Sequence, residues 1–133
     1  MADLKKVLVF EDDKAMAKLY QVELTTKGFM VETAGDGIEG SEKAETFLPD
    51  IILLDIMMPK QNGIDTLKKL RADPKFKETP ILMLTNFGQE SLVKEAFAGG
   101  ATDYIFKYQS TPAEVTEKVK QYLFPANVQL PEN

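Results

Sequence analysis

Short apolar runs and helical periodicities take turns along the whole chain. Apolar runs occupy residues 6–10, 29–33, 50–54, 81–84 and 103–106. Two of them, Ile51-Ile52-Leu53-Leu54 and Ile81-Leu82-Met83-Leu84, are unbroken, as strands covered on both faces of a parallel sheet are. Residues 29–33 form a weaker run. Between the runs the pattern changes to the spacing of helices. Residues 13–27 place Met16, Leu19, Tyr20 and Leu24 on one face, and Gly28 supplies the stop. Gly35-Asp36-Gly37 is a turn, and residues 38–47 follow as a helix ended by Pro49; Gly40 and Ser41 make it a poor helix former and predict a mobile one. A third helix over 64–71 turns Ile64, Leu67 and Leu70 inward, and residues 73–80 read as a polar connection. Residues 91–98 form a fourth helix, closed by Gly99-Gly100. Thr111 caps the fifth, with Pro112 in its first turn and Glu114 completing a capping box; it runs to about residue 124 with Val115, Val119, Tyr122 and Leu123 facing the sheet.

Five strands alternating with five helices predict an α/β fold, a doubly wound parallel sheet with helices on both faces. Right-handed crossovers favour the strand order 2-1-3-4-5. The length of 133 residues suits one domain, expected over residues 1–124, with a short tail at 125–133 and no effector domain after it.

Composition narrows the chemistry. No apolar run nears the roughly 20 residues of a membrane span, and the N-terminus lacks a signal peptide's apolar segment, so a cytoplasmic protein without a membrane partner is expected. The chain has no cysteine and no histidine, which removes disulfides, thiolate sites and imidazole catalysis. A net charge of −5 argues against direct nucleic-acid binding, which depends on neutralising phosphates.

What remains is carboxylate, hydroxyl and ammonium chemistry, and the strand ends collect it. Glu11-Asp12 follows strand 1, Asp55 follows strand 3, Thr85 strand 4 and Lys107 strand 5. In the order 2-1-3-4-5 these four strands are consecutive neighbours about 4.8 Å apart, so their ends converge on one rim. Carboxylates about 4 Å apart repel by around 4 kcal/mol at an effective dielectric near 20. A hard divalent cation relieves that, and Mg²⁺ fits an all-oxygen set completed by water and phosphate. Asp12 and Asp55 are expected as direct ligands, Glu11 through water, and Met57 through its backbone carbonyl. Asp55 is then an oxygen nucleophile for phosphoryl transfer, with Thr85 and Lys107 addressing phosphoryl oxygens. On the first helix Ala15, Lys18 and Val22 lie off the core stripe and beside the acids.

The chain resembles the receiver domain of two-component response regulators, of the single-domain chemotaxis type, over residues 4 to about 124. The matching motifs are Glu11-Asp12, Asp55-x-x-Met58-Pro59-x-x-x-Gly63, Thr85, and Lys107 with Tyr104 three residues before it. The resemblance implies that a sensor histidine kinase or phosphotransfer protein phosphorylates Asp55, and Ala15, Lys18 and Val22 are then expected to dock the kinase's helical phosphohistidine domain. It implies Mg²⁺ (with Mn²⁺ as a substitute) on Asp12, Asp55 and the Met57 carbonyl, and phosphoryl stabilisation by Thr85, Lys107 and the Asn86 backbone N–H. It also implies a switch: Thr85 moves toward the phosphoryl group, Tyr104 turns inward, and the face of helix 4, strand 5 and helix 5 changes partner. A signalling domain is implied, not a turnover enzyme, and its output is expected to be a protein contact, a phosphorelay step, or a domain outside this sequence.

Two positions depart from the family pattern. Tyr108 stands where proline, often after a cis bond, usually follows the lysine. A cis bond here would cost about 3 kcal/mol, so either a trans bond with a rerouted loop or a strained cis bond is expected. Asn86 stands where a very small residue usually follows the threonine, which bears on phosphorylation rate. Met57 and Phe87 are expected to flank Asp55, restrict the attacking water and prolong the phosphoryl lifetime. A flavodoxin-like nucleotide binder is disfavoured because Glu11-Asp12-Asp13 would repel a phosphate after strand 1. An aspartyl hydrolase is disfavoured because position 57, where a second acid would donate the proton, is Met. A phosphorylation-independent interaction module with the same fold is the remaining competitor.

Overall fold

The computed structural model describes residues 4–86 and 90–125. Strands β1 (Lys6–Phe10), β2 (Met30–Ala34), β3 (Ile51–Asp55), β4 (Ile81–Thr85) and β5 (Asp103–Phe106) form one parallel sheet in the order β2-β1-β3-β4-β5. Helices α1 (Lys14–Thr26), α2 (Gly37–Phe47), α3 (Gly63–Ala72), α4 (Glu90–Ala98) and α5 (Pro112–Leu123) connect them. The predicted architecture and order are both present.

The unbroken runs are buried on two faces because successive side chains alternate across the sheet. Val7, Val9, Ile51, Leu53, Leu82 and Leu84 join Tyr20, Leu24, Val115 and Val119 in one apolar layer. Leu8, Phe10, Ile52, Leu54, Ile81 and Met83 join Ile64, Leu67 and Leu70 in the other. Edge strand β2 is largely half-exposed or exposed, which accounts for its weak pattern.

Helix ends follow local chemistry. The Asp13 carboxylate accepts from the Ala15 and Met16 amides, Asp36 from Glu39 and Asn62 from Asp65. Gly28 takes a positive φ of 96° after α1. The Thr111–Glu114 capping box closes in both directions, at 2.8 and 3.1 Å.

Two expectations need correction. Leu19 is 51% exposed, and the inner face of α1 is Ala17, Tyr20 and Leu24; a small residue lets the helix approach the sheet where a leucine would hold it off. Tyr122 packs half-buried against the sheet's apolar layer, as expected, and its hydroxyl also donates to Asp103 Oδ2 at 2.6 Å. The connection after α3 is not merely polar: Pro74–Phe76 forms a 3-10 turn that buries Phe76 completely enough to leave 1% exposed.

Gly40 has a packing role. A Cβ there would lie 2.0 Å from Phe10 Cε2, and the Phe10 ring is fully buried. Helix propensity favours alanine by up to about 1 kcal/mol, whereas overpacking costs about 1–3 kcal/mol, so Gly40→Ala is expected to destabilise by about 1–2 kcal/mol. Urea unfolding measures it; a gain in stability would show that Phe10 has room to move.

Candidate functional site

The rim is built by backbone pairing that continues past the strand ends. The Glu11 amide donates to the Ala34 carbonyl at 2.9 Å, Ile56 to Leu84 at 3.0 Å and Lys107 to Thr85 at 2.8 Å. Glu11, Asp55, Thr85 and Lys107 are thereby brought to one end of the sheet, and all four are buried. Behind Asp55, the Gly63 amide donates to the Ile56 carbonyl at 2.7 Å, and a Cβ at Gly63 would sit 2.2 Å from the Asp55 carbonyl oxygen. The glycine of the Asp55–Gly63 motif is thus required by close backbone approach.

The Lys107 ammonium lies between two acids. It donates to Asp55 Oδ2 at 2.8 Å and forms an ion pair with Glu11 Oε1 at 2.9 Å, though the latter oxygen takes no hydrogen bond of good geometry. The Met57 amide donates to Asp55 Oδ1 and the Asp13 amide to Glu11 Oε2, each at 3.1 Å. Thr85 directs its hydroxyl to the Asn86 carbonyl at 3.3 Å.

Burial pushes the Asp55 and Glu11 carboxyls above their ordinary values. Lys107 opposes this at both, while the charge of Asp55 adds to the rise at Glu11. Burial alone would lower Lys107, but its hydrogen bond to Asp55 and its contact with Glu11 prevail and raise it.

Exposed Asp12 completes the cluster: one carboxylate oxygen from each of Glu11, Asp12 and Asp55 lies within 4.8 Å of the others. Three carboxylates against one ammonium leave a deficit of two formal charges, the charge of one divalent cation. Hard oxygen donors, one exposed ligand open to water and a buried Glu11 oxygen lacking a hydrogen bond fit Mg²⁺.

The remaining predicted residues are dispersed. Met57 is 54% exposed beside Asp55, and Asn86 is half-buried. Phe87 lies outside the described residues. Half-buried Tyr104 packs edge-on between Phe97 and Phe106, with centroids 5.9 and 5.2 Å away. Ala15, Lys18 and Val22 are all exposed on α1, but only Lys18 borders the acids, in a cleft of about 370 Å³ shared with Glu11 and Asp12. Val22, a full turn further along the helix, lines an adjoining shallow groove with Thr25 and Thr26, and Lys18 and Gln21 border both the groove and the cleft.

Tyr108 resolves one alternative. No cis peptide occurs among the described residues, so the Lys107–Tyr108 bond is trans. The Tyr108 ring is 68% exposed, its centroid 5.5 Å from the Lys107 ammonium. The sequence reading missed this contact; the adjacency of lysine and an aromatic was its only signal. It also missed Tyr20 as a polar group, having counted it with the core.

The sequence model described as "Response regulator receiver domain" matches residues 7–120. The chain belongs to this family. The receiver domain is 39% identical over 120 residues to the phosphate regulon transcriptional regulatory protein PhoB of Rhizobium meliloti, covering 90% of this chain and 52% of that protein. It is 41% identical over 127 residues to the alkaline phosphatase synthesis transcriptional regulatory protein PhoP of Bacillus subtilis, covering 96% and 52%. Among solved structures, the chemotaxis response regulator CheY4 of Vibrio cholerae superposes with a TM-score of 0.84 at 32% identity, covering 90% of this receiver and 98% of that chain. This chain spans about half the length of the two transcriptional regulators. Receiver domains are signalling domains of two-component phosphorelays that interact with histidine kinases or phosphotransfer proteins. No helix among the described residues is long and apolar enough to cross a membrane.

The raised carboxyls give stability a definite sign of pH dependence. A group whose folded value lies above its unfolded one contributes stability at low pH that is lost as pH rises through the folded value. Without divalent cations, the contribution of Glu11 and Asp55 is expected to grow as pH falls from their raised folded values toward the ordinary 4.5 and 3.8. Asp103 works oppositely: burial would raise it, but the Tyr122 hydroxyl, the Tyr104 amide and Lys118 outweigh burial and hold it low, so its contribution is lost only below 3.8. Urea unfolding in a chelator at successive pH values checks this, and Asp55→Asn is expected to flatten the rise toward low pH.

Proposed function

We propose that Asp55 is the phosphoacceptor of this receiver domain, taking a phosphoryl group from a phosphohistidine of a sensor kinase or phosphotransfer protein. The observation that carries the reading is the buried Asp55 carboxylate held by Lys107 at 2.8 Å with the Glu11 and Asp12 oxygens close by. A carboxylate oxygen of Asp55 bonds to phosphorus as the N–P bond breaks, and that bonding pair returns to an imidazole protonated on its other nitrogen. The Asp55 carboxylate gives up its negative charge when the acyl phosphate forms, and Lys107 turns N–H groups to the phosphoryl oxygens. The Thr85 hydroxyl and the Asn86 backbone N–H address the others.

Asp12 and Asp55 would hold Mg²⁺ (or Mn²⁺) directly, with the Met57 carbonyl as a further ligand and Glu11 acting through water. The cation would neutralise charge at the transferring phosphoryl group. Ala15, Lys18 and Val22 form the kinase-facing part of α1, and the exposed Leu19 beside them suits an apolar helix partner. Thr85 and Tyr104 form the switch, and the face of α4, β5 and α5 is the output surface toward an as yet unnamed protein. Such a domain is modified and demodified as a signal, with no turnover of a substrate of its own. Partnership with a kinase's phosphohistidine domain places this function in the cytoplasm.

Incubation with acetyl phosphate and Mg²⁺ is expected to add one phosphoryl mass to the wild type and none to Asp55→Asn, and ¹⁹F NMR with beryllofluoride should follow the same division. Labelling of Asp55→Asn to the wild-type extent, or no labelling of either, would overturn the reading and favour a phosphorylation-independent module. Met57, exposed beside the acceptor, is expected to shield the phosphoryl group from attacking water. Label on the wild type should therefore decay over minutes or longer; decay within seconds would remove that role.

A further inference from the structure

Among the described residues, the buried side-chain atoms without a hydrogen bond include the Tyr20 hydroxyl and Glu11 Oε1. One is a donor and the other an acceptor. An orphaned buried hydroxyl carries a desolvation penalty that a phenylalanine of nearly the same shape would avoid.

Their placement is set by α1. The helix begins at Lys14, directly after Glu11-Asp12-Asp13, so its N-terminal end is the acidic end. Tyr20 is six residues in, roughly 9 Å along the axis at 1.5 Å per residue. Long side chains on a helix lean back toward its N-terminus, which carries the phenol along the buried face from Tyr20 past Ala17. Ala17 lines the same cleft as Glu11 and Asp12, so the apolar face of α1 opens onto the site one turn before Tyr20. Tyr20 is 1% exposed and Glu11 2%.

We propose that Tyr20 is a positioning residue for Glu11: its hydroxyl donates a hydrogen bond to the Glu11 carboxylate, directly or across one water, and holds that carboxylate facing the cation site. The electrostatics agree. Burial pushes the Tyr20 phenol up to about 12, and among neighbouring charges Glu11 adds most to the rise. A protonated phenol beside a carboxylate that already shares its cation with Asp55 is a donor where one is lacking. Glu11 Oε1 has only the off-angle Lys107 contact, so a directional donor would decide which way the group turns. The part of this inference that concerns the cation rests on the Mg²⁺ reading above; the hydrogen bond itself does not.

The test is a double-mutant cycle in chelator, with urea unfolding of the wild type, Tyr20→Phe, Glu11→Ala and the double variant. Tyr20→Phe is expected to lower the midpoint in the wild-type background and to have little effect once Glu11 is gone. A midpoint that rises or stays put in the wild-type background overturns the proposal, as does an equal fall in both. Should Glu11→Ala not fold, NMR on the wild type decides: a slowly exchanging Tyr20 hydroxyl proton supports the bond, and fast exchange overturns it. Mg²⁺ titration followed by NMR is the second arm, with affinity in Tyr20→Phe expected to fall roughly tenfold, the low end for groups that orient a ligand. Unchanged Mg²⁺ affinity removes the positioning role. If the wild type itself takes up no Mg²⁺, the functional reading fails while the metal-free cycle still tests the hydrogen bond.

Discussion

A single buried ammonium holds the rim together. Lys107 contacts Glu11 and Asp55 at 2.9 and 2.8 Å, and all three side chains are nearly inaccessible to water. β1 and β5 are three strand spacings apart, roughly 14 Å at about 4.8 Å per spacing, so only a lysine on one side and a glutamate on the other bridge β3 and β4. A buried acid stripped of its cation costs about 3–5 kcal/mol, so this contact constrains how the ends of the sheet can sit. The strand order is therefore a requirement of the chemistry as much as of packing.

That arrangement is compensated only in part. One ammonium serves the three clustered carboxylates, and burial raises the two inner ones. The site is strained in charge before any ligand arrives, and whatever neutralises it stabilises the folded state by mass action. A receiver site of this kind is expected to be among the least favourable parts of its own fold, which is common where function demands unpaired charge. The Tyr108 ring lies over the same ammonium from the solvent side, an aromatic contact in place of the family's usual proline.

The legibility of the molecule divides along physical lines. Unbroken apolar runs such as Ile51 to Leu54 announce burial on both faces, and polar residues ending them announce a rim, because both signals are local in sequence. The capping box at Thr111 was readable for the same reason. What depended on distant partners was not. Leu19 outranks Ala17 in hydrophobicity, yet the helix needed the smaller residue inside. Gly40 read as a weak helix former because its partner, Phe10, is thirty residues away. Arg71 read as the last residue of a helix; its guanidinium in fact donates to the Gly100, Phe76 and Thr79 carbonyls and ties α3 to the opposite end of the sheet. Tyr20 was visible as an apolar periodicity, and periodicity says nothing of where a hydroxyl ends.

The output face adds a cost that the resemblance alone did not suggest. Tyr104 is held edge-on by Phe97 from α4 and by Phe106 from its own strand. Each such pair is worth about 0.5–1.5 kcal/mol beyond the area it buries, so turning Tyr104 inward forfeits about 1–3 kcal/mol before anything is gained. Shifting a two-state equilibrium from one part in a hundred to ninety-nine takes about 5.5 kcal/mol. On the proposed switch, a phosphoryl group that draws in Thr85 would have to supply that difference and the aromatic contacts as well, or a partner bound to the inward form would supply the remainder. The clamp thus sets how much phosphorylation and partner binding would have to provide between them.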